Sequence, residues 1–455
     1  MAFYFIVITV GRIKPMFLYS IRKKVLKESE KDMSNYELQQ NLALNGGEKA
    51  IKTPFPARHH FGEEEKAACN RVLDEAIAKG TAPGYGGPDR ELLGKEFAEM
   101  LGGGYAECVN SGTTSVYVAL RSQNIQPFSE IICPPITDPG GFMPIVMMNC
   151  IPIVADAMPG SFNMSLEGVK KAYTERTSAI LVAHIAGEPC EDIEAICEFA
   201  KEKGLVVVED CAQAHGAKYN GKAIGTFGDA SGFSMMFGKH TCVGGQGGLV
   251  WTRTEEAYYR SQQSADRGKP FGVDRSEGNV CASLNYNMDD MHAAIGRVQI
   301  KKQFPIAEAR RDIVARIKEG LADLPVIRFP DISEKSEPSY WFLRLLFNQD
   351  AVTVDKRTFC KALNAEGVVA LKEYPATPFT GKWYKNSIVF GDSKYPWAAP
   401  EYTGDKDKRY SLEDLPVVAK SLADTFIIYP LESWTEQNIA EVVAAFRKVY
   451  EAYKK

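Results

Sequence analysis

The chain of 455 residues contains no CxxC pair, and its ten cysteines, at 69, 108, 133, 150, 190, 197, 211, 242, 281 and 360, are scattered along it. That spacing excludes a small disulfide-stapled scaffold and reads as reduced thiols in a cytoplasmic protein. The six histidines, at 59, 60, 184, 215, 240 and 292, form neither HExxH nor a His-plus-CxxC cluster, so no metal centre is expected. Basic excess is missing too: 54 Lys+Arg stand against 58 Asp+Glu, a formal net charge of −4. Nothing therefore advertises nucleic acid or an anionic membrane as a partner. Long hydrophobic runs are lacking. Residues 3–10 (FYFIVITV) are apolar, but Gly11, Arg12 and Lys14 end the run well short of the ~20 residues that a spanning helix needs. The same stretch lacks the basic leading region and small-residue cleavage site of a signal peptide.

What is present is the composition of a globular protein, 45% hydrophobic and 25% charged, at a length suited to two or three domains. Residues 21–33 (IRKKVLKESEKDM) read as a solvated connector, with Met33 as a candidate start and residues 1–32 as an appended extension. From Phe61 onward helical and strand patterns alternate. Acids at 63–65 followed by Ala67, Ala68, Val72, Leu73 and Ile77 predict an amphipathic helix, and 80–88 (GTAPGYGGP) breaks it. Residues 92–101, 166–173, 193–203 and 288–303 predict further helices. Between them lie short apolar runs at 106–109, 131–133, 151–154, 179–183, 205–208 and 249–251. Strands without polar alternation, interleaved with helices, imply a mostly parallel sheet covered on both faces. Beyond about residue 303 the pattern changes to short strands within 340–350 and 365–371 and helices at 355–364 and 435–454, a smaller α+β unit. Residues 382–412, rich in Tyr, Pro, Asp and Lys, read as a long surface excursion.

Three segments carry chemistry. Asn110-Ser-Gly-Thr-Thr-Ser115 joins a strand to a helical stretch, where free backbone N–H groups and a glycine suit a phosphate. Alone, it reads as an ordinary capped turn. In Val206-Val-Val-Glu-Asp-Cys-Ala-Gln213 an apolar strand delivers Asp210 to its carboxyl end, the edge at which open α/β sheets bind ligands. A helix cap is the other reading of that aspartate. Gly232-Phe-Ser-Met-Met-Phe-Gly-Lys239 places a lysine among apolar residues and glycines. Burial there would lower its pKa and make the amine nucleophilic, whereas a surface turn would leave it inert.

Together these segments resemble the sugar aminotransferases named after DegT, DnrJ and StrS, over about 55–449. The motifs stand in family order: SGT at 111–113, VVEDCAQAHGA at 207–217, FGDASGFSMMFGK at 227–239, GGQGG at 244–248 and LNYNMDDMHAAIG at 284–296. The resemblance implies the fold-type-I architecture of pyridoxal 5'-phosphate (PLP) enzymes, an α/β domain with a mostly parallel sheet and helices on both faces plus a smaller α+β domain. The expected division is an extension over 1–50, part of it disordered, a large PLP-binding domain over 51–303 and a small domain over 304–455. By resemblance Lys239 is the lysine that holds PLP covalently and shuttles a proton. Asp210 faces the pyridine nitrogen and Gln213 lies beside the ring. Ser234 and the Gly112–Thr113 turn take the phosphate. Asn285 reaches the phosphate of a neighbouring subunit, which implies a homodimer with a shared active site.

The chain departs from the family pattern at three places around the cofactor. Thr137 is followed by Asp138 where relatives carry an aromatic residue that stacks on the ring, leaving Asp138 and Phe142 as candidates to cover it. Asn285-Tyr-Asn287 replaces Asn-Tyr-Arg, and the usual TGEGG loop is VGGQGG with one extra residue. The expected reaction moves an amino group from glutamate or glutamine to a keto-sugar, nucleotide-linked, or to a keto-cyclitol. Dehydration of a sugar, carried out by relatives with histidine in place of the lysine, and silent PLP binding are the alternatives. His184 and Tyr85 are substrate-side candidates, each equally readable as packing or loop structure.

Overall fold

The computed structural model describes residues 36–374 and 377–455. Its centre is a seven-stranded sheet built from β1 (Tyr105–Val109), β2 (Glu130–Cys133), β3 (Ile151–Val154), β4 (Thr177–Ala183), β5 (Val206–Asp210), β6 (Ala230–Ser234) and β7 (Gly248–Thr252). The spatial order is β1-β7-β6-β5-β4-β2-β3. The four adjacencies from β6 to β3 are parallel, and only β7 runs against its neighbours β1 and β6.

The apolar strands are explained by what each face meets. Ile131, Ala179, Leu181 and Val208 point into one core with Val116, Leu120, Phe142 and Ile145. Their neighbours Ile132, Ile180, Val182 and Val207 point into another with Leu93, Phe97, Ile193 and Ile196. Because successive side chains alternate between faces, a strand covered on both sides is built mainly of apolar residues, and the polar ones it holds, such as Glu130 and Glu209, are buried and hydrogen-bonded. The mostly parallel α/β sheet expected from the sequence is therefore the observed one.

A second sheet contains β8 (Ile327–Arg328), β9 (Leu343–Phe347), β10 (Ala370–Leu371) and β11 (Thr425–Ile428), antiparallel in the order β8-β9-β11-β10. The helices Gln303–Leu321, Lys356–Glu366 and Glu436–Tyr453 supply its core through Ile313, Ile317, Phe359, Val442 and Phe446. Residues 43–53 are tied to this unit: the Ala43 and Ala50 amides donate to the Glu366 carboxylate, and those of Lys52 and Thr53 donate to Glu441. The candidate start at Met33 and the extension before it lie outside the described residues. Among those described, no helix is long and apolar enough to cross a membrane.

Two local expectations change. Residues 382–412 are not a surface excursion, because Tyr384, Trp397, Tyr402 and Tyr410 are buried and pack into the core beside Phe142. Tyr402 Oη donates to the buried Glu130 carboxylate at 2.9 Å, and the Arg409 guanidinium lies 4.2 Å from the Trp397 ring centroid. The polar residues of the segment hide the aromatic anchors that fold it back. The helix Pro139–Met147 was also not legible, since its sequence, PGGFMPIVM, holds two glycines and two prolines. Pro139 sits in the first turn, where its missing N–H costs nothing, and Asp138 caps the start by accepting from the Gly140 amide at 2.9 Å.

Candidate functional site

The carboxyl ends of β1, β2, β4, β5 and β6 converge on one edge of the sheet. There they surround a cavity of about 370 Å³ whose wall includes Gly112, Thr113, Asp210, Gln213, Ser234, Lys239 and His184. Apart from the ring-cover candidates Asp138 and Phe142, seven of the nine residues singled out from the sequence thus meet in one place, although up to 127 positions separate them along the chain. A larger cleft of about 1080 Å³ lies elsewhere, over Arg344 and the helix Pro416–Asp424, and holds none of the nine.

Each side chain is set by its strand end. Asp210 closes β5; its Oδ1 accepts from the Ala212 amide at 3.0 Å, and burial raises its pKa against the pull of that amide and of Lys239. Gly141 lets the carboxylate approach, since a Cβ there would lie 2.3 Å from Asp210 Oδ2. Gln213 bridges two loops: its Oε1 accepts from the Ala186 amide at 2.9 Å and its Nε2 donates to Tyr374 Oη at 2.8 Å. Lys239 is buried at 9% exposure, and its pKa is lowered by burial, opposed by Asp210 and Asp138. Its Nζ lies 4.6 Å from the ring centroid of Trp341.

The opposite wall is an anion cradle. Helix α1 (Gly112–Ser122) begins at the cavity, with Ser111 Oγ accepting from the Thr114 amide at 3.2 Å and the first-turn amides directed outward. Ser234 approaches so closely that a Cβ on Gly112 would lie 2.5 Å from Ser234 Cβ and 2.6 Å from its Oγ. Gly112→Ala is therefore expected to push the serine out of place and to weaken binding of PLP by about 10–100-fold, the affinity equivalent of overpacking by ~1–3 kcal/mol. Titrating the cofactor-free variant with PLP and following its absorbance checks this; unchanged affinity would show that the cradle is not used.

His184, Tyr85, Asn285 and Phe142 are placed differently from the group around Lys239. His184 is fully buried, and its Nδ1 accepts from the Cys190 amide at 3.0 Å, so Nε2 carries the proton and donates to Glu209 at 3.1 Å. Both ring nitrogens are thus engaged by the protein. Glu209 in turn accepts from the Gly225 and Gly228 amides, so the His184–Glu209 pair, with Cys211 beside it, is a hydrogen-bonded support within β5. Tyr85 lies outside the cavity wall at the surface, where its hydroxyl accepts from Arg267 and Lys269 at 2.8 and 3.2 Å. Asn285 is exposed and also off the wall; its Oδ1 accepts from Asn287, and its backbone bridges Asp266. Phe142 is buried edge-on against Trp383 and Tyr384, which removes it as a cover for the cavity. Asp138 remains on the wall.

The wall also holds Gln246, Trp341 and Tyr374, which had not been singled out. Gln246 stood in the GGQGG motif. Trp341 and Tyr374 lie more than 100 residues beyond Lys239, Trp341 in a stretch read only as strand, and no local pattern points to either as a site residue.

PLP needs three things of a pocket: an anion cradle, a carboxylate for the ring nitrogen and an amine for the carbonyl carbon. All three line this one, and the Cβ tests at Gly112 and Gly141 show its glycines held open for close approach. The fold and cavity define a PLP-dependent aminotransferase of fold type I. Residues 61–399 match the model of the DegT/DnrJ/EryC1/StrS aminotransferase family, and the chain belongs to that family.

Among its relatives is the GDP-perosamine synthase of Vibrio cholerae, 32% identical over 255 residues, which are 56% of this chain and 68% of that protein. Of the solved structures, an aminotransferase from Psychrobacter cryohalolentis superposes with a TM-score of 0.75 at 26% identity, covering 87% of this chain and 99% of that one. DesV of S. venezuelae, solved in complex with a ketimine intermediate, superposes at 0.71 and 27% identity, covering 85% and 94%.

Proposed function

We propose that this aminotransferase takes its amino group from glutamate or glutamine and delivers it to a keto-sugar, nucleotide-linked, or to a keto-cyclitol. The observation that carries the reading is the buried Lys239 amine in one cavity with Asp210 and the α1 cradle. The name of the Vibrio cholerae relative, GDP-perosamine synthase, refers to a GDP-linked sugar and supports a nucleotide-linked acceptor.

Bound PLP supplies a carbon that condenses with primary amines and a ring that accepts an electron pair. The α1 amides, Thr113 and Ser234 hold its phosphate. Asp210 would keep a proton on the ring nitrogen through its negative charge, which a buried carboxylate retains only when a cation faces it. Gln213, fixed by Ala186 and Tyr374, would stand beside the ring. Lys239 Nζ would hold the cofactor and, when free of it, would take up and return the proton of the substrate carbon. A histidine at this position could not make the covalent link, which favours transamination over dehydration.

In this reading residues 51–303 hold the cofactor and 304–455 form the small domain. The exposed Asn285 serves the phosphate of a second subunit in a homodimer, and the enzyme works in the cytoplasm. Tyr85, with the cationic Arg267 and Lys269 around its hydroxyl, is a substrate-side residue in this reading. His184 acts on the substrate side through shape alone.

Mixing the purified holoenzyme with glutamate or glutamine tests the reading. The visible absorbance of the lysine-bound cofactor is expected to give way to a near-ultraviolet band, and a keto-sugar acceptor is expected to restore it. No bleaching with any amino donor would sink it.

A further inference from the structure

Lys239 Nζ makes no hydrogen bond and no ion pair among the described residues, although it carries the only amine on the cavity wall. It lies over the face of Trp341, at 4.6 Å from the ring centroid. An indole face attracts an ammonium more strongly than any other aromatic side chain does, and more so when water is excluded.

The backbone around Trp341 shows how firmly that face is held. Tyr340, the residue before it, has φ of 46°, and Ala186, on the loop it meets, has φ of 66°. Both are left-handed conformations that residues with a Cβ rarely adopt, and they persist only where the surroundings enforce them. Here the Trp341 amide donates to Ala186 O at 2.7 Å and the Ser339 amide donates to Gly187 O at 2.8 Å, interlocking the two loops. The buried Arg310 donates to Tyr340 O at 2.8 Å and His240 Nε2 donates to Ser339 O at 3.0 Å. The same Ala186 presents its amide to Gln213. Strain at two residues therefore aims one indole at Lys239 and fixes Gln213.

We infer that Trp341 is a positioning residue for Lys239, its indole face being the seat of the lysine ammonium whenever the amine is free of the cofactor. The inference rests on Lys239 being the reacting amine. The seat does what a close carboxylate cannot. A salt bridge would fix the ammonium and hinder its return to the substrate carbon, whereas a π face holds the charge without directing a hydrogen bond. Other charged or titratable groups facing the amine are Asp210 at the end of β5 and Asp138 at the start of Pro139–Met147. Around them stand Tyr374, bonded to Gln213; His184, neutral on Glu209; His215, which burial pushes down to about 4; and Arg58, which donates to the Lys239 carbonyl. Replacing the indole changes no formal charge around the amine.

The test is the pH dependence of Lys239 acylation in PLP-free protein, followed by mass spectrometry of its peptide in the wild type, Trp341→Phe and Trp341→Leu. Losing the π face disfavours the ammonium, so the midpoint is expected to fall by about 0.5–1.5 units in Trp341→Leu and by a smaller step in Trp341→Phe. Water admitted by a smaller side chain would move it the other way, because solvation favours the charged form. A midpoint in Trp341→Leu equal to or above that of the wild type overturns the proposal. Should that variant fail to fold, Trp341→Phe decides alone, and a midpoint identical to the wild type overturns it. If the wild-type holoenzyme shows no lysine-dependent visible band, the reading of Lys239 fails instead, and the two failures are told apart.

Discussion

Lys239→Ala is expected to abolish the visible absorbance of the holoenzyme and to slow transfer from the amino donor by at least about 10⁴-fold. Two roles end together in that variant. The covalent link to the cofactor needs a primary amine, and no other lysine lines the cavity. The proton that leaves the substrate carbon needs a base within reach of it, and the nearby candidates are poorly suited. His184 has both ring nitrogens engaged by the protein, and Asp210 serves the far side of the ring in the proposed pose. Burial lowers the pKa of Lys239, so a larger fraction of the amine is neutral near pH 7 than for a surface lysine, which is the form that attacks. Spectra of the variant with and without PLP, together with single-turnover rates with glutamate, provide the check. Retention of the visible band would place the link on another residue.

Asp210→Asn is expected to leave that band in place and to slow the same step by about 10²–10³-fold. The substitution keeps the shape of the side chain and its hydrogen bond to the Ala212 amide, so the packing beneath Gly141 survives. What disappears is the negative charge that keeps the ring nitrogen protonated and the ring able to accept electrons. Burial raises the pKa of this carboxyl and Lys239 opposes the rise, so its ionisation depends on a facing cation. A protonated ring nitrogen supplies one. PLP affinity and half-reaction rates measured for the variant separate these effects: a large loss of affinity with an unchanged rate would assign Asp210 to binding alone.

The cavity residues differ in how they could be read. Asn110–Thr113, Asp210–Gln213 and Lys239 each follow a strand, and their chemistry is written in short segments. The strands at 131–133, 151–154 and 179–183 were legible because both their faces are buried, leaving only apolar residues. β6 (Ala230–Ser234) was not, since its small residues have no strand pattern; Gly232 lies against the α1 backbone, where a Cβ would meet Val116 N at 2.8 Å. The buried aromatics of 382–412 were masked by the polar residues between them.

The amino-acid sequence by itself determined the α/β class, the family, the cofactor and the segments that meet around it, because each depends on residues close together in the chain. The tertiary structure alone decided that Phe142 turns into the core, that both nitrogens of His184 are engaged and that Trp341 and Tyr374 close the wall. Those outcomes depend on which loops cross above the strand ends. Trp341 reaches Lys239 through two hydrogen bonds between chain segments more than 150 residues apart, and no spacing in the sequence encodes such a contact.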